Sequence, residues 1–277
     1  MTVRAQTLGK FEWPARALFG LLLAATALAA IFAGARVFMA LVAILAFACA
    51  RELHRMVGGA RYAVVVVTTT LAFCGAMACT LLASPPLWPV GLLLLGSAVT
   101  AVCAGKSGAS PLWNAGGTLY IGIPALALAA LRVDAPNGAL AIVVVFLAVW
   151  AADTGALAGG SLLGGPKLVP RLSPNKTWSG FFSGTLFSVF AVTLFIGFHG
   201  GTIWLAALLG LALALAGQAG DLFESWVKRR VGRKNSGGLI PGHGGVLDRL
   251  DSTLFAAPLA ALLVFVFGLD PLCGGHP

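Results

Sequence analysis

Apolar residues run along this chain in stretches of 14 to 22 residues, separated by short segments that carry most of its charge. A helix needs roughly 20 apolar residues to cross the hydrocarbon core of a bilayer, and a spanning backbone must satisfy its own hydrogen bonds. The runs at 17–34, 37–50, 62–83, 88–105, 115–131, 138–158, 178–198, 202–220 and 253–269 therefore predict an all-α, polytopic integral membrane protein with about nine transmembrane helices, the second of them short. The first run follows Arg16 and reads as a retained helix. It is long, further spans follow directly, and no A-x-A-like cleavage site with a polar mature region comes after it.

The distribution of Lys and Arg orients these spans. With the N-terminus cytoplasmic, alternate loops place 16 of the 18 basic residues inside and leave only Arg36 and Arg132 outside. That topology puts the C-terminus outside and the segment 220–252 in the cytoplasm. The overall composition agrees, with 59% hydrophobic residues, 10% charged and a mean hydropathy of +0.95. The net charge of +9 follows from basic loops facing anionic headgroups. No aromatic-interleaved basic patch supports nucleic acid as a partner. Cys49, Cys74, Cys79, Cys103 and Cys273 are odd in number, form no CxxC pair and lie mostly in apolar runs, which argues against a disulfide framework or a zinc site.

The chemistry is concentrated in GDLFESWVKRRVGRKNSGGLIPGHGGVLDRLDS, residues 220–252, which hold four of the nine acidic residues. Asp221, Glu224, Ser225 and Lys228 are three, four and seven apart, so they share a face of a helix continuing from the eighth span. Asp248 and Asp251 repeat the three-residue spacing, with Arg249 between them. Carboxylates without matching His and Cys ligands suit a hard cation such as Mg²⁺, which binds through one or two carboxylates plus substrate phosphates. The basic residues nearby suit those phosphates. Each signal alone is weak, because acid and base at helical spacing are more often a solvated, salt-bridged face. Together, at a membrane boundary, they favour catalysis.

Three further features bear on this site. Gly237, Gly238, Gly242, Gly244 and Gly245 let backbone amides face an anion or let chains approach closely, but they match no Walker or dinucleotide fingerprint. His243 among them serves phosphate, proton transfer or the turn itself. In KLVPRLSPNKTWSG, Pro174 makes Ser173 extended, and Thr177 and Ser179 begin the seventh span, which leaves Lys176 near a helix N-terminus suited to phosphate. Asp153, in VWAADTGALAGG near the cytoplasmic end of the sixth span, is costly in a membrane unless it is paired with Lys176, snorkels, or serves a substrate pocket.

The residues from Ser225 to Asp251, with S-x-V-K-R, Lys234 and I-P-G-H-G-G-V-L-D-R-L-D, resemble the signature of phosphatidate cytidylyltransferases, the CDP-diglyceride synthases. The resemblance extends to GDLFES at 220–225, ADTGA at 152–156, SPNKT at 173–177 and TLYIGIPALALAALR at 118–132, covering the chain from about residue 113 onward. It implies a membrane enzyme that condenses CTP with phosphatidic acid to give CDP-diacylglycerol and pyrophosphate. It also implies a metal site at Asp221, Asp248 and Asp251 for Mg²⁺, with room for a second cation. Lys228 and Arg229, with Lys176 and Arg249, are then candidate phosphate clamps, and His243 an auxiliary group. Asp153, Ser173, Thr177, Glu224, Ser225, Lys234, Gly244 and Gly245 complete the expected substrate-binding set.

The whole chain, 1–277, reads as a single membrane domain, with residues 1–112 supplying N-terminal helices of little evident chemistry and 113–277 a catalytic core with cytoplasmic active-site loops. Departures from the family pattern are Asn235 for Asp, Asn175 for Lys, Ser179 for Glu, and Leu157 at a position that is frequently aromatic. They keep open a diverged paralogue acting on another lipid phosphate. A transporter using Asp153 and the glycine-rich segments is the reading of a different class, though no inverted repeat supports it. The expected location is a bacterial plasma membrane, with membrane lipids as surroundings and a homodimer left open by the resemblance.

Overall fold

The computed structural model describes residues 20–57, 62–85, 87–237 and 244–268. Its helices are α1 (Gly20–Ala33), α2 (Ala35–Val57), α3 (Tyr62–Leu81), α4 (Leu87–Lys106), α5 (Pro111–Asp134), α6 (Gly138–Leu163), α7 (Trp178–Phe198), α8 (Ile203–Arg230), the single turn α9 (Leu247–Leu250) and α10 (Thr253–Phe265). Seven of them, α2 to α8, are long and apolar enough to cross a membrane, and α1 and α10 are shorter apolar helices. The protein is thus an all-α polytopic membrane protein, as its apolar runs predict. A two-stranded antiparallel hairpin interrupts the helices, with β1 (Lys167–Val169) pairing Lys167 with Thr177 and Val169 with Ser173 of β2 (Ser173–Thr177).

Large apolar side chains such as Leu71, Leu95, Leu186, Phe190 and Trp204 point outward, while the inner core gathers Phe38, Phe73, Ile121, Ile142 and Leu213. Apolar side chains on both the outside and the inside suit a bundle solvated by lipid, where helices associate through close packing and polar contacts. Between α6 and α7, the Ser183 hydroxyl donates to Gly155 O at 2.9 Å, and a Cβ on Gly159 would overlap Ser183.

Polar contacts also fasten the N-terminal helices to the rest. His54 is fully buried, with Nδ1 2.9 Å from Asn114 Oδ1 and Nε2 2.9 Å from Thr69 Oγ1. Thr69 in turn meets Thr118 at 2.7 Å. The carbonyl partner assigns the donor role to Nδ1, so the chain of bonds joins α2, α3 and α5 with its members satisfied.

Helix ends decide where the chemistry sits. At about 1.5 Å per residue, the 28 residues of α8 reach about 42 Å, longer than a hydrocarbon core of roughly 30 Å, so its charged end extends beyond the apolar layer. The C-terminal ends of α2, α6 and α8, the hairpin before α7 and the start of α10 gather at this end. Arg132, at the far end of α5, donates to Ile31 O at 3.0 Å, joining the opposite ends of α5 and α1.

Candidate active site

The extended end of α8 presents Asp221, Glu224 and Lys228 along one side, as their helical spacing requires. Lys228 Nζ lies 2.5 Å from Glu224 Oε2 and 2.7 Å from Asp248 Oδ1, so one ammonium joins α8 to α9. Glu224 is 1% exposed, and its second oxygen, Oε1, has no hydrogen-bond partner among the described residues. Asp248 also accepts the backbone N–H of Ser236 at 3.2 Å and that of Gly245 at 2.8 Å. Gly244 stands beside it at φ +85°, where a Cβ would lie 2.8 Å from Asp248 Oδ2. Burial works to raise the pKa of Asp248, but the bonds from Lys228 and from the Gly245 amide outweigh it and hold the carboxyl below its ordinary range.

A second group surrounds a cavity of about 400 Å³ lined by Asp153, Asn175, Lys176, Thr177, Gln218 and Asp221 among others. Lys176 forms an ion pair with Asp221. The hairpin delivers this lysine: Ser173 is extended before Pro174, and the strand ends at Thr177, whose hydroxyl accepts Gly180 N–H at 3.1 Å and caps α7. Thr177 therefore uses its side chain at the helix start while lining the cavity wall. Ser179 bonds to Gly164 O and Thr177, closing the turn between α6 and α7.

Asp251 lies in the field of both groups. Gly220 brings it there, because a Cβ at that position would lie 2.5 Å from Asp251 O and 3.2 Å from Phe255. Close approach of the two backbones thus requires the residue before Asp221 to have no side chain. Burial, followed by repulsion from Asp221 and Glu224 and a further push from Asp153, raises the Asp251 carboxyl well above its ordinary range, against the Ser252 N–H at 2.8 Å.

The other expected residues lie around these groups. Arg229 is exposed and its Nε donates to Leu172 O at 3.3 Å, tying α8 to the hairpin loop. Arg249 is exposed on α9, Lys234 is exposed after α8, and Ser225 is half-buried beside Glu224. His243, Gly238 and Gly242 lie outside the described residues, as does Cys273. Among the described residues, no group of three or more His, Cys, Asp or Glu side chains is arranged to hold a metal ion. Lysines neutralise Asp221 and Asp248 instead.

One acid of the site escaped the sequence reading. Glu52 of α2 is 3% exposed, and its Oε2 accepts Leu247 N–H at 2.9 Å and the Ser236 hydroxyl at 3.2 Å. It stands just past the second apolar run among Arg51 and Arg55, where the sequence reading counted only the basic residues.

The arrangement of lysines, carboxylates and inward backbone amides at a membrane boundary suits phosphate chemistry. Sequence comparison supplies the family: the model of the "Cytidylyltransferase family" matches residues 14–267. The chain belongs to the cytidylyltransferase family. The match begins well before the signature residues and takes in the N-terminal helices. A phosphatidate cytidylyltransferase of Brucella suis biovar 1 (strain 1330) is 46% identical over 181 residues, 64% of this chain and 66% of that protein. One from Staphylococcus epidermidis (strain ATCC 12228 / FDA PCI 1200) is 48% identical over 126 residues, 44% of this chain and 48% of its own. The chain thus spans about two thirds of the Brucella relative and about half of the Staphylococcus one.

Proposed function

We propose that this cytidylyltransferase-family protein transfers the cytidylyl group of CTP to phosphatidic acid, giving CDP-diacylglycerol and pyrophosphate. The observation that carries the reading is the pairing of Lys176 with Asp221 and of Lys228 with Glu224 and Asp248 at one end of a membrane bundle. The names of the Brucella and Staphylococcus relatives support the same pair of substrates. A cavity of about 400 Å³ is within the ordinary range of small-ligand sites, and Lys176 and Asp221 line it.

In this reading an oxygen of the lipid phosphate attacks the α-phosphorus of CTP. The bond from that phosphorus to the β-phosphate bridging oxygen breaks, and its electron pair leaves with pyrophosphate. The attacking phosphate is already an anion near neutral pH, so alignment and charge stabilisation matter more than a general base. Lys176 and Lys228, held by their carboxylate partners, offer oriented ammonium groups to phosphate oxygens. Arg229 and Arg249 add bidentate donors at the rim.

Asp221, Asp248 and Asp251 would hold Mg²⁺, with a second cation among the same acids. Their fit lies in the charge balance, since Asp251 sits in the field of Asp221, Glu224 and Asp153, and hard cations take carboxylate oxygens. When bound, Mg²⁺ neutralises triphosphate oxygens and eases pyrophosphate departure.

The test is CDP-diacylglycerol formation by the purified protein with labelled CTP and phosphatidic acid, in Mg²⁺ or EDTA. Metal-dependent product is expected. Its absence from folded protein would refute the reading and favour another lipid phosphate, a choice to which Asn175 in the cavity wall gives a specific observation.

The same proposal places the protein in a bacterial inner membrane with this end facing the cytoplasm, supported by bacterial relatives and by Lys228, Arg229, Arg230, Arg233 and Lys234 gathered here. Labelling of single cysteines introduced at Arg233 and Thr202 from either side reads the orientation. Native mass spectrometry reads whether it is a homodimer.

A further inference from the structure

Glu52 stands on α2 just past the second apolar run, 195 residues from Leu247, yet its carboxylate is buried against the segment that carries Asp248. Oε2 receives the Leu247 N–H and the Ser236 hydroxyl, while Oε1 has no hydrogen-bond partner among the described residues. Ser236 faces two ways: its hydroxyl bonds to Glu52 and its backbone N–H bonds to Asp248. Leu247 adjoins Asp248 directly. The two residues held by Glu52 therefore set Asp248 from both sides.

The backbone is shaped to admit this carboxylate. A Cβ on Gly237 would overlap Glu52 Oε1, and one on Gly245 would overlap both Glu52 Oε2 and Ser236 Oγ. Gly245 is also the residue whose N–H bonds to Asp248 at 2.8 Å. Glycine at 237 and 245 thus permits one buried acid to sit against the segments flanking residues 238–243. A buried carboxylate is retained at high desolvation cost unless its hydrogen bonds are made.

We propose that Glu52 is a positioning residue for phosphate transfer, an acceptor on α2 that holds Ser236 and Leu247 and through them orients Asp248. Its hydrogen bonds among the described residues go to Ser236 and Leu247, so its effect passes through the loop. The proposal rests on reading this end of the bundle as the transfer site, and it adds a structural duty for α2 that the charged C-terminal segment does not reveal. The role needs an oxygen acceptor at this point, which an amide oxygen also supplies.

The test uses the full-length protein in detergent micelles and compares Glu52→Ala with Glu52→Gln. Hydrogen exchange of peptides covering residues 236–250 is measured beside turnover of CTP and phosphatidic acid. Removing the acceptor in Glu52→Ala is expected to speed exchange at Leu247 and Ser236 while the spans α6 to α8 keep their protection. It is also expected to lower kcat about 10- to 100-fold, the range found when an outer partner of a functional ligand is lost, with a smaller change in KM for CTP. Glu52→Gln is expected to restore the loop's protection and bring kcat within a few fold of wild type.

Unchanged exchange at 236–250 in Glu52→Ala would overturn the proposal, as would equal loss of protection across all spans. Failure of Glu52→Gln to rescue the local exchange would also overturn an acceptor role. If wild-type protein makes no CDP-diacylglycerol, the functional reading fails separately, and the exchange comparison still decides whether Glu52 positions this loop.

Discussion

Lys228 offers the sharpest test of the charge arrangement, because one ammonium serves two carboxylates. Its side chain is 13% exposed, and those of Glu224 and Asp248 are 1% and 15% exposed. Lys228→Met retains much of the aliphatic stem but leaves both acids without their shared cation. Removing one partner of a buried pair costs about 3–5 kcal/mol, and each kcal/mol shifts melting by about 2–4 °C in a domain of comparable size. A fall on the order of 10 °C is therefore expected in detergent, with loss of CTP turnover.

The pH dependence has a definite sign. Asp248 is held below its ordinary value of 3.8, so its pairing stabilises the fold above that value and is lost as pH falls through the lowered one. The gap between wild type and Lys228→Met should be widest near neutrality and narrow on acidification toward and below 3.8. Adding Glu224→Gln should recover part of the stability while turnover stays low. Melting of Lys228→Met within about 2 °C of wild type near neutrality, a shift worth no more than about 1 kcal/mol, would refute the reasoning. So would a gap that does not change with pH.

Asp251→Asn should stabilise the metal-free protein at neutral pH, because a carboxyl whose folded pKa is raised contributes stability that disappears as pH rises through that value. Thermal melts with EDTA should show the gain shrinking toward acid pH, while product formation with Mg²⁺ is lost. Gly220→Ala should push Asp251 O and Phe255 away from α8, costing about 1–3 kcal/mol by overpacking; melting and turnover measured together should both fall. Thr177→Val should remove the α7 cap bond to Gly180 and cost about 1 kcal/mol, read as a drop of a few degrees in melting temperature.

The membrane architecture was legible because long apolar runs need no tertiary information to be recognised. Their boundaries were less so: the short second run extends to Val57, although the spacing of Asp221, Glu224 and Lys228 did predict that the eighth run continues as a helix, α8, which ends at Arg230. Charged residues end an apolar run before they end a helix, since a helix projecting from the bilayer keeps its own hydrogen bonds. The hairpin at Lys167–Thr177 escaped notice because its strands hold only three and five residues. Pro174 did signal the extended conformation at Ser173, and Thr177 did begin α7.

The site divides in the same way. Glu224 and Lys228 meet because helical spacing brings positions four apart together, so their contact was readable along one segment. The bond from Lys228 to Asp248 and the pairing of Lys176 with Asp221 needed the fold to bring distant segments together. Glu52 lies farther still from its loop and, beside Arg51 and Arg55, resembles an ordinary charged helix end. By itself the sequence determined a membrane-spanning helical protein and the residue types available for phosphate chemistry, because hydropathy and helical period are local properties. Only tertiary structure decided which lysine neutralises which acid and that α2 reaches the loop through Glu52, because burial and partner choice depend on contacts between segments far apart in the chain.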